Sequence, residues 1–148
     1  MQRVLVVGAG FMGAGIAQVC AQKGLSVTLN DVKQEALDAA MQGMAASLAK
    51  LHAKGLVSDA PDQVLARIVT STGLEAAAQA DWIIEAAWEE LELKLKLFSQ
   101  LGRLAPAATP LASNTSSIPI GQLAEAAGHP ERVLGLHFFG PVPLMGLV

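Results

Sequence analysis

Apolar runs and helical stripes alternate along the chain. Arg3 to Val7 (RVLVV) is continuous and rich in β-branched residues, the pattern of a strand buried on both faces. The period then changes. Between Phe11 and Lys23, the residues Met12, Ile16, Val19 and Cys20 share one helical face, and Gly24 follows as a stop signal. Ser26 to Asn30 predicts a second strand. Leu37, Met41, Met44, Leu48 and Leu51 step by three or four, which predicts a long helix ending at Gly55. A shorter helix over SDAPDQVLARI is expected to begin with Ser58 or Asp59 near its cap and Pro61 in its first turn. Together these two helices form a hairpin longer than a crossover needs, and it reads as an excursion beyond the sheet.

Four more strands are predicted at Arg67 to Thr72, Trp82 to Ala87, Pro110 to Asn114 and Val133 to Phe139. A short alanine-rich helix follows the third strand. The next long helix carries Leu91, Leu95, Phe98 and Leu101 on one face. Its outer face holds Glu90 with Lys94 and Glu92 with Lys96 at i,i+4. Another helix opens at Pro119 and closes at Gly128. Strand and helix in alternation predict an α/β fold, a doubly wound and mainly parallel sheet with helices on both faces. Such a sheet binds ligands at the carboxyl ends of its strands, near the topological switch point.

Composition narrows this little. The 148 residues fit one domain, and 52% apolar content suffices for a sizeable core. With 13 acidic against 10 basic residues, the net charge of −3 argues against a nucleic-acid partner or an anionic membrane surface. The single cysteine, Cys20, forms no internal disulfide and reads as an inert, buried thiol. No apolar run reaches membrane-spanning length, and the opening MQRVLVVGAG runs into a glycine turn rather than a cleavage site. A soluble, cytoplasmic protein is expected.

Gly8-Ala9-Gly10-Phe11-Met12-Gly13 carries the G-x-G-x-x-G spacing. Alone that pattern is weak and fits a mere connecting turn. Here it follows a strand, opens a helix and is succeeded about 20 residues later by an acid, Asp31, at the end of the second strand. Gly8 allows the tight turn, Gly10 leaves room for a pyrophosphate, and Gly13 allows close packing of helix on strand. Free N–H groups at the helix start hold the anion. Asp31 would accept hydrogen bonds from the adenosine ribose and repel a 2′-phosphate, which favours NAD over NADP; Lys33 nearby weakens that preference. The expected fold is therefore of the Rossmann type, residues 1–148 forming one NAD-binding domain, with cofactor contacts at Gly8, Gly10, Phe11, Met12, Gly13 and Asp31. No spacing of His, Cys and carboxylates suggests a metal site.

GAGFMGAGIA, DWIIEAAWEELELKLKLF, LASNTSSIPI and ERVLGLHFFGPVPLMGLV together resemble the L-3-hydroxyacyl-CoA dehydrogenases. The resemblance covers essentially the whole chain, but only the amino-terminal half of such an enzyme. It implies oxidation of the 3-hydroxyl of an acyl-CoA to a ketone with NAD as acceptor, in fatty-acid metabolism such as β-oxidation. It further implies a helical carboxyl-terminal domain, absent from this chain, that closes the active site and makes a homodimer. His137 matches the general base. An imidazole titrates near neutrality and can take or return the hydroxyl proton. The family's partner glutamate comes directly after a Leu-Val, here Leu147-Val148, so this chain alone is expected to bind cofactor without turnover. Ser116 matches the serine that hydrogen-bonds the substrate oxygen. Glu89 and Lys94 match positions near the cofactor and cleft, and Asn114 shapes the same turn. Where the family usually reads His-Phe-Phe-Asn-Pro, the asparagine is Gly140 here, which removes a donor and acceptors beside the base. Gly146 also stands where a larger residue is common.

Plainer readings exist for each residue. A lone histidine on an apolar strand is consistent with a packed core position. Ser116 and Ser117 suit the N–H groups ahead of the Pro119 helix. Glu89 and Lys94 sit on a charge-rich helix whose default is a solvated face. Glu85 reads as terminating a sheet edge. Lys50 and Lys54 suit either CoA phosphates or a solvated helix end, and His52 and His129 are expected to be exposed. Two other functions stay open on the residues alone: an NAD-binding module without catalysis, and a dehydrogenase of free hydroxy acids.

Overall fold

The computed structural model describes residues 2–148. Six strands, β1 (Arg3–Val7), β2 (Ser26–Asn30), β3 (Ile68–Ser71), β4 (Trp82–Glu85), β5 (Leu111–Ser113) and β6 (Val133–Gly135), form one sheet in the order β3-β2-β1-β4-β5-β6. Every pairing is parallel. The strand order reverses between β1 and β4, so their carboxyl ends part and leave a crevice.

The five α-helices are α1 (Phe11–Gln22), α2 (Gln34–Ala53), α3 (Pro61–Leu65), α4 (Leu91–Leu104) and α5 (Ile120–Ala127). One core lies between the sheet and α1, α2 and α3, built on Val4, Val6, Leu29, Ile16, Leu37, Leu48 and Val64. The other lies between the opposite face and α4 and α5, built on Leu5, Ile83, Phe98, Leu101, Leu111 and Leu123. Their strand residues alternate along β1, as the pleat requires. The helix α2 joins the first core through Leu37, Ala40, Met44 and Leu48, and packs on α1 and α3.

Several boundaries differ from expectation for physical reasons. Asp59 does not cap α3; Ala60 stands at the cap, and Asp59 pairs with Arg67 at 2.7 Å. The alanine-rich helix is a 3₁₀ segment, Glu75–Gln79. On α1 the fully buried residues are Ile16, Ala17 and Ala21, with Met12, Val19 and Cys20 at the margin. On α4 the buried stripe begins at Lys94 and continues through Phe98 and Leu101, while Leu91 is exposed. Above all β6 stops at Gly135, because its partner β5 stops at Ser113. Leu136 still donates to the Ser113 carbonyl at 2.9 Å, after which the chain leaves the ladder. His137 thus lies past the strand's end, over the crevice.

Candidate active site

The glycine loop is a consequence of close backbone approach. Gly8 has φ 104°, and a Cβ there would lie 2.4 Å from the Ala86 carbonyl oxygen. A Cβ on Gly13 would lie 1.7 Å from the Gly8 oxygen, so α1 can begin this near β1 only with glycine at that point. Gly10 is different: nothing lies within 4 Å of where its Cβ would be. The space is open to solvent, and the N–H groups of the first turn point into it without a side-chain cap. Asp31 braces the loop from β2, its Oδ2 accepting from the Ala9 N–H at 2.9 Å and its Oδ1 from the Lys33 N–H at 3.0 Å. Each oxygen keeps lone-pair capacity for a further donor. A dinucleotide's pyrophosphate and ribose fit this donor set and this space.

A cleft of about 390 Å³ opens beside the loop, lined by Met12, Glu89, Lys94, Asn114, Ser116 and His137 among others. His137 is half-buried, its ring held edge-on to Phe139 with centroids 4.6 Å apart. Its backbone is fixed by Asn114, whose Oδ1 accepts from the Phe138 N–H at 2.8 Å. Ser116 is exposed in the cleft. Phe11 and Trp88 stand at the surface nearby, 72% and 80% exposed. Gly140 completes the wall; a Cβ on it would meet Phe11 Cε1 at 2.7 Å and Met12 Sδ at 3.3 Å. Gly146 has open space around it.

Beneath the cleft lies a set of charges that the solvated-face reading did not anticipate. Lys94 is 1% exposed and Glu85 is fully buried. The Lys94 ammonium sits 3.0 Å from Glu85 Oε1 and 2.6 Å from Glu89 Oε2. Glu85 accepts in addition from the Ala87 N–H at 2.7 Å and from the Ser113 hydroxyl at 2.5 Å. Glu89 accepts from the hydroxyls of Thr115 and Ser117, the latter at 3.0 Å. Lys94 therefore pairs with Glu85 at the end of β4 and with Glu89 in the connection to α4, not with the side chain of Glu90 at the cap of its helix. Glu85 terminates no edge: β4 is central in the sheet. Burial raises the Glu89 carboxyl pKa, but the hydrogen bonds from Lys94, Thr115 and Ser117 outweigh it and hold the group below its ordinary value.

Neither Ser116 nor Ser117 receives the N–H groups ahead of α5. Thr115 does, its Oγ1 accepting from the Ser117 and Ile118 N–H groups at 3.3 and 3.1 Å. Glu85, Ser113 and Thr115 were thus missed as site residues. The signal available was an acid closing an apolar strand, WIIE, in register with the serine that closes LAS. His52 and His129 are exposed, and Cys20 is half-buried with its thiol pushed up to about 11 by burial. Among the described residues no group of His, Cys, Asp and Glu is placed to hold a metal, and no helix is long and apolar enough to cross a membrane.

The family described as "3-hydroxyacyl-CoA dehydrogenase, NAD binding domain" matches residues 3–148. A probable 3-hydroxybutyryl-CoA dehydrogenase of Deinococcus radiodurans is 51% identical over 143 residues, covering 97% of this chain and 51% of that protein. The 3-hydroxyadipyl-CoA dehydrogenase of Escherichia coli K12 is 46% identical over 149 residues, covering 100% of this chain and 31% of that protein. Among solved structures, (S)-3-hydroxybutyryl-CoA dehydrogenase PaaH1 from Ralstonia eutropha superposes with a TM-score of 0.94 at 40% identity, covering 99% of this chain and 52% of that one. The chain spans about half the length, or less, of the curated relatives it matches.

Proposed function

The chain belongs to the 3-hydroxyacyl-CoA dehydrogenase family through its NAD-binding domain, and from that premise we propose that it is the cofactor-binding half of an enzyme oxidising the 3-hydroxyl of an L-3-hydroxyacyl-CoA to a ketone. One observation carries this reading. The uncapped start of α1 and the His137 imidazole, contributed by opposite ends of the chain, open into the same cleft through Met12 and His137. Gly8, Gly10, Phe11, Met12 and Gly13 receive the pyrophosphate, and Asp31 the adenosine ribose. Glu89, Lys94 and Asn114 border the nicotinamide end. Bound NAD supplies the hydride acceptor. Ser116 donates a hydrogen bond to the substrate oxygen, and His137 takes the hydroxyl proton as general base. Met12, Phe138 and Phe139 give that part of the cleft an apolar wall.

The wider reading is a cytoplasmic enzyme of fatty-acid metabolism, such as β-oxidation, with an acyl-CoA substrate, no nucleic-acid or membrane partner, and a homodimer made by a carboxyl-terminal helical domain. The test is NADH oxidation by acetoacetyl-CoA in a polypeptide that continues into such a domain. Turnover lost on His137→Gln with NADH affinity kept is expected; unimpaired turnover in that variant overturns the assignment. A second reading, a cofactor-binding module without catalysis, is favoured for the 148 residues alone by one fact. Among the described residues no carboxylate pairs with His137.

A further inference from the structure

Residues 113–117 alternate between two environments. Ser113, Thr115 and Ser117 send their hydroxyls down to the Glu85–Lys94–Glu89 cluster. Asn114 and Ser116, between them, line the cleft with His137. The segment, a ribbon that runs on from β5 and bends at Ser116 to Ile118, has alternate side chains pinned to a charged floor and the others presented to the site. Glu85 is the deepest anchor of that floor: fully buried, it engages Lys94 of α4, Ser113 of β5 and the Ala87 N–H that turns the chain out of β4. Its main-chain carbonyl also accepts from the Asn114 N–H at 2.8 Å. Asn114 in turn holds the Phe138 N–H, next to His137.

We propose that Glu85 is a positioning residue, which through Ser113, and through Lys94 and Glu89, fixes the ribbon so that Ser116 and the His137 backbone are held together in the lining of the cleft. Removing a buried ion pair's partner leaves uncompensated charge, so such a group persists only where its geometry is used or its loss is costly. Here the carboxylate takes the Ser113 hydroxyl and the main-chain carbonyl takes the Asn114 N–H, so Glu85 holds the start of a segment that carries two of the cleft's polar side chains. Lys94 is the floor's hub, with two carboxylates already on its ammonium. The assignment of what Ser116 and His137 face rests on the proposed dehydrogenase reading. The geometry of the ribbon does not.

The test uses the 148-residue chain with Glu85→Gln and, as the milder change, Ser113→Ala. Amide exchange is followed at Phe138, whose N–H reports the Asn114 contact, and at Val4 to Val7 in β1, which reports the fold. NADH affinity is measured in parallel. The expected result is Phe138 exchange accelerated about tenfold or more in Glu85→Gln, and less in Ser113→Ala, with β1 protection retained. NADH binding weakens in the same order. Unchanged Phe138 exchange, or acceleration of Phe138 and β1 in step, overturns the proposal, the latter because a purely structural anchor loosens everything together. If Glu85→Gln does not fold, Ser113→Ala decides by the same criteria. If the parent chain fails to bind NADH, the dehydrogenase reading fails, and Phe138 exchange still decides this one.

Discussion

Gly140 and Phe11 occupy each other's space. A Cβ on Gly140 falls 2.7 Å from the Phe11 ring, so the ring, which is largely exposed and opens α1 beside the glycine loop, must shift to admit it. Gly140→Asn should therefore cost little stability yet weaken NADH binding by about 1 kcal/mol, roughly fivefold in Kd. Adding Phe11→Ala should restore the affinity; calorimetry on the two variants checks this, and equal affinities before and after the second change would contradict it. Glu89 provides a pH signature. Its folded pKa is depressed, so the stability it contributes is full above its unfolded pKa and is lost as pH falls through the folded one. The urea midpoint of the parent should exceed that of Glu89→Gln at neutral pH, and the gap should close only below the ordinary glutamate range, about pH 4. At this scale local pattern was misleading about Glu85, Glu89 and Lys94, although the family resemblance put Glu89 and Lys94 beside the cleft that they line. Charge spacing on a helix suggests a solvated face, and the burial of Lys94 depends on strands β4 and β5, remote in sequence, meeting beneath it. His137 and Ser116 were legible only through the family resemblance, since neither has a partner in local spacing.

The elements show which constraints belong to the fold and which to the ligand. Gly13→Ala drives a methyl into the Gly8 carbonyl, where backbone cannot give way, and should destabilise the chain by about 3 kcal/mol in urea unfolding. Gly10→Ala meets nothing in the protein, so its stability should match the parent within about 0.5 kcal/mol while NADH binding is lost. A Gly10→Ala protein that binds NADH normally would remove the pyrophosphate from this loop. On the same helix, burial lifts Cys20 from 9.0 to about 11, two units, so at pH 8 its thiolate population, and its alkylation rate, should be about a hundredfold below that of the unfolded chain. Strand and helix identities were readable from period alone because both sheet faces are covered and β1 and β4 are apolar apart from Arg3 at the start of one and Glu85 at the end of the other. Strand ends were not. The apolar run from Val133 continues to Phe139 because the cleft wall is apolar too, whereas the ladder stops where β5 stops.

At the scale of the molecule, the 3-2-1-4-5-6 order makes the crevice, and two segments far apart in sequence meet in its lining: the glycine loop after β1 and the histidine segment after β6. That order was expected only as a doubly wound sheet. Periodicity identifies strands but not their neighbours, and the register that brings Glu85 beside Ser113 exists only in the folded sheet. The two functions of the crevice separate accordingly. On the proposed reading cofactor binding would draw on Gly8 to Gly13 and Asp31, whose bracing is complete within the described residues. On the proposed reading proton transfer would draw on His137, with which none of the described carboxylates pairs, and an imidazole without such a partner has no fixed tautomer. The 148-residue chain should therefore bind NADH in calorimetry while oxidising it with acetoacetyl-CoA on the order of 10²–10⁴-fold more slowly than a polypeptide that adds an orienting carboxylate and a closing domain. Turnover by the chain alone at the rate of the longer polypeptide would mean that some described group, Glu89 being the carboxylate that shares the cleft, already orients the imidazole.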